Sequence, residues 1–431
     1  MTSHLLFVTG NDRASIVTRL ENLQEDQSFT ELYVSMIHLD DTIADALVEA
    51  IKLREWDALH VAHCSGYVDR VISAALDFQQ VPKISLLPAG HLVQDECLYV
   101  LAKGLQKNTS VKSLVLKVDL TVDLAEALAE GLGQNTGLEE LSLLLSTSDK
   151  EAISALAVGL HTNKTLKSLK LNRCSLEDGH VAELIQALDH HPSLFELSVE
   201  GSSCRARGIV SLTGLLQRTS TSTSQPNLML NLQNQEFEEN GQFGVNFLAP
   251  FLPRNKSMRF LDLSRNELSD AEVACLASAV SENSALQELR LVDCNISDRG
   301  AKLLAHYLPG MTGLRKLWLY GNPFKAEGAK ALLEALRTNV HLEEMLIPRG
   351  KNKQMDQIQQ EMEYYLILNR GGRCLMYDKD VNLALWPRVL ERTSELSWDY
   401  SSNKNDTAHL TALYHLLQGP ASFAGREASS I

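Results

Sequence analysis

A leucine spacing recurs about every 28 residues along most of this chain, and no other feature restricts the possible folds as much. Leu286-Gln-Glu-Leu289-Arg-Leu291-Val-Asp-Cys294-Asn-Ile296 reads LxxLxLxxCxI, and Leu314 to Phe324 repeats it with Asn322 in place of the cysteine. Met258 to Leu268 and Leu166 to Leu176 follow the same pattern, and looser copies begin at Phe29, Trp56, Val81, Val111, Leu138, Leu194, Asn227 and Leu342. Seven of the eleven intervals between these twelve starts are 27 or 28 residues, which chance would not give. Ser3 to Asn11 reads as a thirteenth, degenerate strand.

Each unit changes period after its LxL segment. Apolar residues then recur at spacings of three and four, as in Val181, Leu184, Leu188; Val273, Leu276, Val280; Ala301, Leu304, Leu308; and Ala329, Leu332, Leu336. This is one face of a helix. Ser269 and Glu272 stand at capping-box spacing before one such helix, and Ser297 holds the same place in the next unit. Asn108, Asn135, Asn163, Asn255, Asn283 and Asn339 each fall three residues before the next strand start, where a left-handed asparagine is expected to end the helix. Asn108-Thr-Ser and Asn163-Lys-Thr are also glycosylation sequons in form; with no signal peptide in view, they read as helix stops.

The LxxLxLxxCxI units with their helices resemble ribonuclease-inhibitor-like leucine-rich repeats, over roughly Ser3 to Gly350 and most strongly from Leu166 onward. The resemblance implies an α/β horseshoe solenoid. Parallel strands sit about 4.8 Å apart whereas adjacent helices need about 8–10 Å, so the sheet takes the concave side and the helices the convex side. The Asn or Cys position of each unit is expected beneath a turn, covering backbone groups.

The repeat stops near Lys351. Met355, Ile358, Met362, Tyr365 and Leu366 have helical spacing ending at Gly371-Gly372; an apolar segment from Val381 to Leu390 and a helix over Thr407–Leu417 follow. A solenoid needs its last repeat covered. The expected organisation is therefore a repeat domain over 1–350 of 12 to 13 units, a helical capping region over 351–418 and a flexible tail over 419–431. The TSTSTS run inside 219–226 reads as a solvated loop in the longest interval.

Bulk composition narrows the function. Of 431 residues 44% are hydrophobic and 22% charged, and no apolar run is long enough to span a membrane, so the expectation is a cytoplasmic or nuclear monomer with no membrane attachment. Seven scattered cysteines without a CxxC pair do not form a disulfide framework. A formal charge of −14 argues against nucleic acid and favours a protein partner.

Motifs for chemistry are weak. Gly131-Leu-Gly133 lacks the spacing of a phosphate loop, and Gly133 belongs to a helix end. His60, His63 and Cys64 are a nominal metal set, but neighbours on a strand and turn alternate faces. The adjacent acids Glu139-Glu140 and Glu343-Glu344 read as solvated charges. The expectation is a protein without cofactor, metal or catalytic residues: a non-enzymatic scaffold or inhibitor. GTPase-activating proteins for a nuclear-transport GTPase share this repeat type and supply the alternative, a regulatory activator. The chain from Lys351 on lacks the long acidic tail such activators carry.

The third, fifth and seventh places of each repeat should face outward from the sheet. They hold the acids Glu31, Glu140, Glu196, Glu200, Asp262, Glu288 and Glu344 and the bases Lys83, Lys117, Lys170, Arg290 and Lys316, a difference of only two charges. Charge does not mark this face, but aromatic residues do. Phe260, Trp318 and Tyr320, flanked by Glu288, Arg290 and Lys316, form the candidate partner-binding site, with Tyr33 alone near the other end. The alternative for Trp318 and Tyr320 is packing against the C-terminal region.

Overall fold

In the computed structural model, the described residues are 5–10, 12–22, 28–87, 91–172, 174, 176–189, 191–202, 206–219, 228–234, 244–350 and 353–376. The serine and threonine run from 220 and the expected elements beyond 376 lie outside them. The chain divides into two compact units, Met1–Glu236 and Phe237–Ile431.

In the first unit, strands β1 (Leu5–Thr9), β2 (Glu31–Ser35), β4 (Ala58–Ala62), β6 (Lys83–Leu87), β7 (Ser113–Leu120), β8 (Glu140–Ser148), β9 (Ser168–Leu171), β10 (Glu196–Ser198) and β11 (Leu228–Asn231) lie side by side in that order. Their pairings are parallel. The short strands β3 (His38–Leu39) and β5 (Ser65–Gly66) pair separately. Helices α1 (Arg13–Glu21), α2 (Asp41–Lys52), α3 (Val68–Asp77), α4 (His91–Leu105), α5 (Val122–Gln134), α6 (Lys150–Thr162), α7 (Asp178–Ala187) and α8 (Ala206–Thr219) connect successive repeats. The degenerate N-terminal strand is β1, paired in register with β2.

In the second unit, β12 (Met258–Asp262), β13 (Glu288–Arg290), β14 (Lys316–Trp318) and β15 (Glu344–Leu346) form a parallel series. Helices α9 (Gly244–Leu248), α10 (Asp270–Ser281), α11 (Asp298–Tyr307) and α12 (Ala326–Leu336) accompany them, and α13 (Lys353–Arg370) follows the last strand. Helices need wider spacing than strands, so within each unit the two layers splay on the helical side.

The two apolar periods meet in one core. Leu286, Leu289 and Leu291 from one repeat and Ala301, Leu304 and Leu308 from its helix are fully buried, and the corresponding residues of the other units repeat this. Each buried leucine contributes on the order of 2 kcal/mol of transfer free energy. The Ser269–Glu272 capping box is formed, and Ser297 Oγ accepts from the amides of Arg299 and Gly300. Gly131 lies inside α5 because a Cβ there would collide with the Ala102 carbonyl of α4; the glycine serves close helix packing.

The asparagines before each strand stop the helix by a different device from the one expected. Asn135 and Asn163 are extended, with φ of −71° and −65°, and not left-handed. Instead each side chain is buried and bonds in two directions. Asn135 Nδ2 donates to the carbonyls of Leu105 at 2.6 Å and Asn108 at 2.8 Å in the preceding repeat, while its Oδ1 accepts from the amides of Gly137 and Leu138. Asn163 repeats this on Leu132 and Asn135, and Asn283 on Leu252 and Asn255. A buried helix-end carbonyl left unpaired costs about 1–3 kcal/mol, so a side chain that serves two repeats at once outweighs a local turn. His191 and Met311 stand at the equivalent places in two repeats.

The second polar position behaves as expected. Asn322 Nδ2 donates to the carbonyls of Leu291 and Leu319, and its Oδ1 accepts from the amides of Cys294 and Ile296. Cys294 Sγ points at the Leu263 carbonyl, 3.2 Å away, and burial pushes its thiol up to about 12. Cys174 is alike.

Candidate protein-binding face

Strand alternation in the second unit turns Leu261, Leu289, Leu317 and Met345 inward and leaves two registered rows outside. One row runs Phe260, Glu288, Lys316, Glu344, and the next runs Asp262, Arg290, Trp318, Leu346. All six residues named from the sequence are on this face, and five of them form a connected cluster centred on Arg290.

The Arg290 guanidinium lies 4.8 Å from the Phe260 ring centroid and 4.7 Å from that of Trp318, so one cation bridges rings on the two flanking strands. Its Nη2 is 2.6 Å from Glu288 Oε1, and Nη1 is 3.9 Å from Asp262 Oδ2. Asp262 is buried and also accepts from the Ser264 amide at 2.9 Å. Two carboxylates and two ring faces thus fix a side chain that would otherwise sample many rotamers. Trp318 is half-buried and stands 6.2 Å from Tyr320, which is 43% exposed. The indole Nε1 of Trp318 is buried and has no hydrogen-bond partner among the described residues. Lys316 is exposed and pairs loosely with Glu344 at 3.6 Å; it stands in register with Glu288 but apart from the ring stack.

A match to the family model described as Leucine Rich repeat covers residues 254–277 and 282–305, the two repeats that carry Phe260 and Arg290. The mouse protein Ribonuclease inhibitor is 26% identical over 242 residues, which cover 55% of this chain and 52% of that protein. The chain carries leucine-rich repeats similar to those of the ribonuclease-inhibitor-like type. The human NACHT, LRR and PYD domains-containing protein 5 is 30% identical over 189 residues, 43% of this chain but only 15% of that protein. This leucine-rich-repeat chain therefore spans about half or much less of the curated relatives it matches. Among solved structures, the leucine-rich repeat-containing protein LegL7 from Legionella pneumophila aligns over 76% of this chain and 97% of its own, at 15% identity and a TM-score of 0.46. The TLR13-ssRNA13 complex aligns over 83% and 52%, at 16% identity and a TM-score of 0.45.

Two features of the leucine-rich-repeat face were missed from the sequence. Asp262, placed outward from its spacing but left out of the candidate site, belongs to the Arg290 cluster, and Leu346, 39% exposed, continues the Trp318 row. In the first unit Tyr33 is not alone: Phe7 and His60 flank it in register. The repeat spacing held the signal for His60, at the fifth place of its unit. His60 lies on the sheet face, whereas Cys64 is buried with Sγ directed at the carbonyls of Val34 and Ala62. His63 occupies a left-handed turn position, φ 53°. Among the described residues no helix is long and apolar enough to cross a membrane.

Proposed function

We propose that this chain is a non-enzymatic scaffold or inhibitor that takes a partner protein on the sheet face of its second unit, through Phe260, Glu288, Arg290, Lys316, Trp318 and Tyr320. The observation that carries this reading is the Phe260–Arg290–Trp318 stack beside exposed Tyr320. Trp, Tyr and Arg dominate interface energetics, and groups already ordered lose little entropy on contact. A relative named for inhibiting a ribonuclease supports inhibition by protein binding as the mode of action. Free, buried cysteines such as Cys174 and Cys294 suit a reducing, cytoplasmic setting.

The test is affinity capture from the native source with the wild type and with the double variant Trp318→Ala, Tyr320→Ala. A polypeptide retained by the wild type and lost from a variant of normal melting temperature is the expected result. Unchanged retention by the folded variant moves the site elsewhere, and a large fall in melting temperature assigns the rings to packing.

A further inference from the structure

A second ring cluster lies on the sheet face of the first unit, where the sequence pointed only to Tyr33. Phe7, Tyr33 and His60 stand in register on β1, β2 and β4. Their ring centroids are 5.2 Å apart for Phe7–Tyr33 and 5.7 Å for Tyr33–His60, and Phe7 is 49% exposed. Glu31 precedes Tyr33 by two residues and so shares its face; its Oε2 is 3.7 Å from His60 Nε2. Burial and the nearby Lys83 hold the His60 imidazole below its usual pKa, against the pull of Glu31. At neutral pH the histidine is therefore uncharged and does not neutralise the carboxylate. Among the described residues no lysine or arginine forms an ion pair with Glu31.

The second unit shows what such an arrangement holds. Glu288 occupies the same third place of its repeat as Glu31, and Arg290 the same fifth place as Tyr33. There, two rings and a carboxylate surround a guanidinium that the chain itself supplies. The first unit has the rings and the carboxylate, and the residue at the guanidinium's place is one more ring.

We propose that the Phe7–Tyr33–His60 strip with Glu31 receives an arginine side chain from a basic polypeptide. The guanidinium would lie over the ring faces and pair with the Glu31 carboxylate, each interaction strengthening the other by restricting the same side chain. A chain of formal charge −14 also draws a basic polypeptide toward it. This surface is distinct from the one proposed above, so either can fail alone.

The probe is a fluorescein-labelled peptide of alternating arginine and glycine, titrated by anisotropy against the full chain, with an alternating glutamate and glycine peptide as control. Saturable binding of the arginine peptide is expected, weakened about fivefold or more by isosteric Glu31→Gln and by Phe7→Ala, each with a wild-type melting temperature. The Trp318→Ala, Tyr320→Ala variant should bind the peptide as the wild type does. The proposal is overturned if the arginine peptide does not bind, if the glutamate peptide binds equally well, or if Glu31→Gln and Phe7→Ala leave affinity unchanged. Loss of binding in the Trp318, Tyr320 variant would place the peptide on the second unit and overturn it as well.

Discussion

The side-chain amide of Asn369 donates to the backbone carbonyls of Asn339 and Leu342, at 3.0 and 2.7 Å, so the helix after the last strand enters the same hydrogen-bond series that joins repeat to repeat. Met355, Ile358, Met362 and Leu366 of that helix are buried, as are Met345 and Ile347 at the end of the last repeat. We expect Asn369→Ala to cost about 1–3 kcal/mol in chemical denaturation, because two buried carbonyls lose their donor. A chain ending at Gly350 should aggregate through its uncovered edge, as read by light scattering. A monomeric truncation with the wild-type melting temperature would refute the role of α13 as a cover.

Leu289 and Arg290 are adjacent and face opposite ways. Leu289→Ala should destabilise by about 2–5 kcal/mol, as for other fully buried leucines. Arg290→Ala would be nearly neutral for an outward residue judged by alternation alone, but the ring stack and the two carboxylates raise the expected loss to about 1 kcal/mol. Equal losses for both variants would contradict the register.

His191 holds an asparagine place in the ladder and fills it badly. It is buried, its Nε2 makes no hydrogen bond among the described residues, and burial with the nearby Lys164 lowers its pKa from 6.5 to about 4, the Asn163 carbonyl working in the opposite direction. The unfolded chain therefore binds more protons between those values, and this residue's contribution to stability falls as pH drops from about 6.5 toward 4. His191→Asn should stabilise the fold by about 1 kcal/mol at neutral pH, with a margin over the wild type that widens through that window. Parallel denaturation curves at pH 7.5 and pH 5, conditions chosen about either side of the usual histidine pKa, would check it.

Two glycines offer a paired test of helix packing. A methyl group on Gly131 would strike the Ala102 carbonyl, whereas one on Gly179 of α7 meets nothing within 4 Å. Gly131→Ala should lower the melting temperature despite its better helix propensity, and Gly179→Ala should add about 0.5–1 kcal/mol. A gain at both positions would mean that α4 and α5 can move apart freely.

Most of the scaffold was legible in the sequence because it repeats. A strand register fixed by Leu286, Leu289 and Leu291 is re-tested every 28 residues or so, and the alternation it implies places Phe260, Arg290 and Trp318 on one face without further information. What the sequence did not reveal depends on contacts between units. The asparagine ladder looked like a local helix stop because a single chain position carries no sign that its amide reaches a carbonyl 27 to 31 residues earlier. The Phe7 strip was hidden for a related reason: its first member lies in a repeat too degenerate to align, and His60 drew attention beside His63 and Cys64, which point elsewhere.

The ladder also bears on where this chain can fold. Asn108, Asn163 and Asn255 each begin an Asn-X-Ser/Thr triplet, and each is almost fully buried. Oligosaccharide attachment modifies the amide nitrogen during synthesis, before these repeats close, and at Asn108 and Asn163 that nitrogen is the one that donates across the repeat boundary. A glycan there would replace one of the two N–H groups of that amide and wedge a sugar into the core. Routing this sequence through a glycosylating secretory pathway should therefore yield misfolded protein, and replacing Thr165 by alanine to destroy one triplet should partly restore folding there. Asn108 and Asn163, which bond repeat to repeat, would thereby oppose folding in any compartment that holds that transferase.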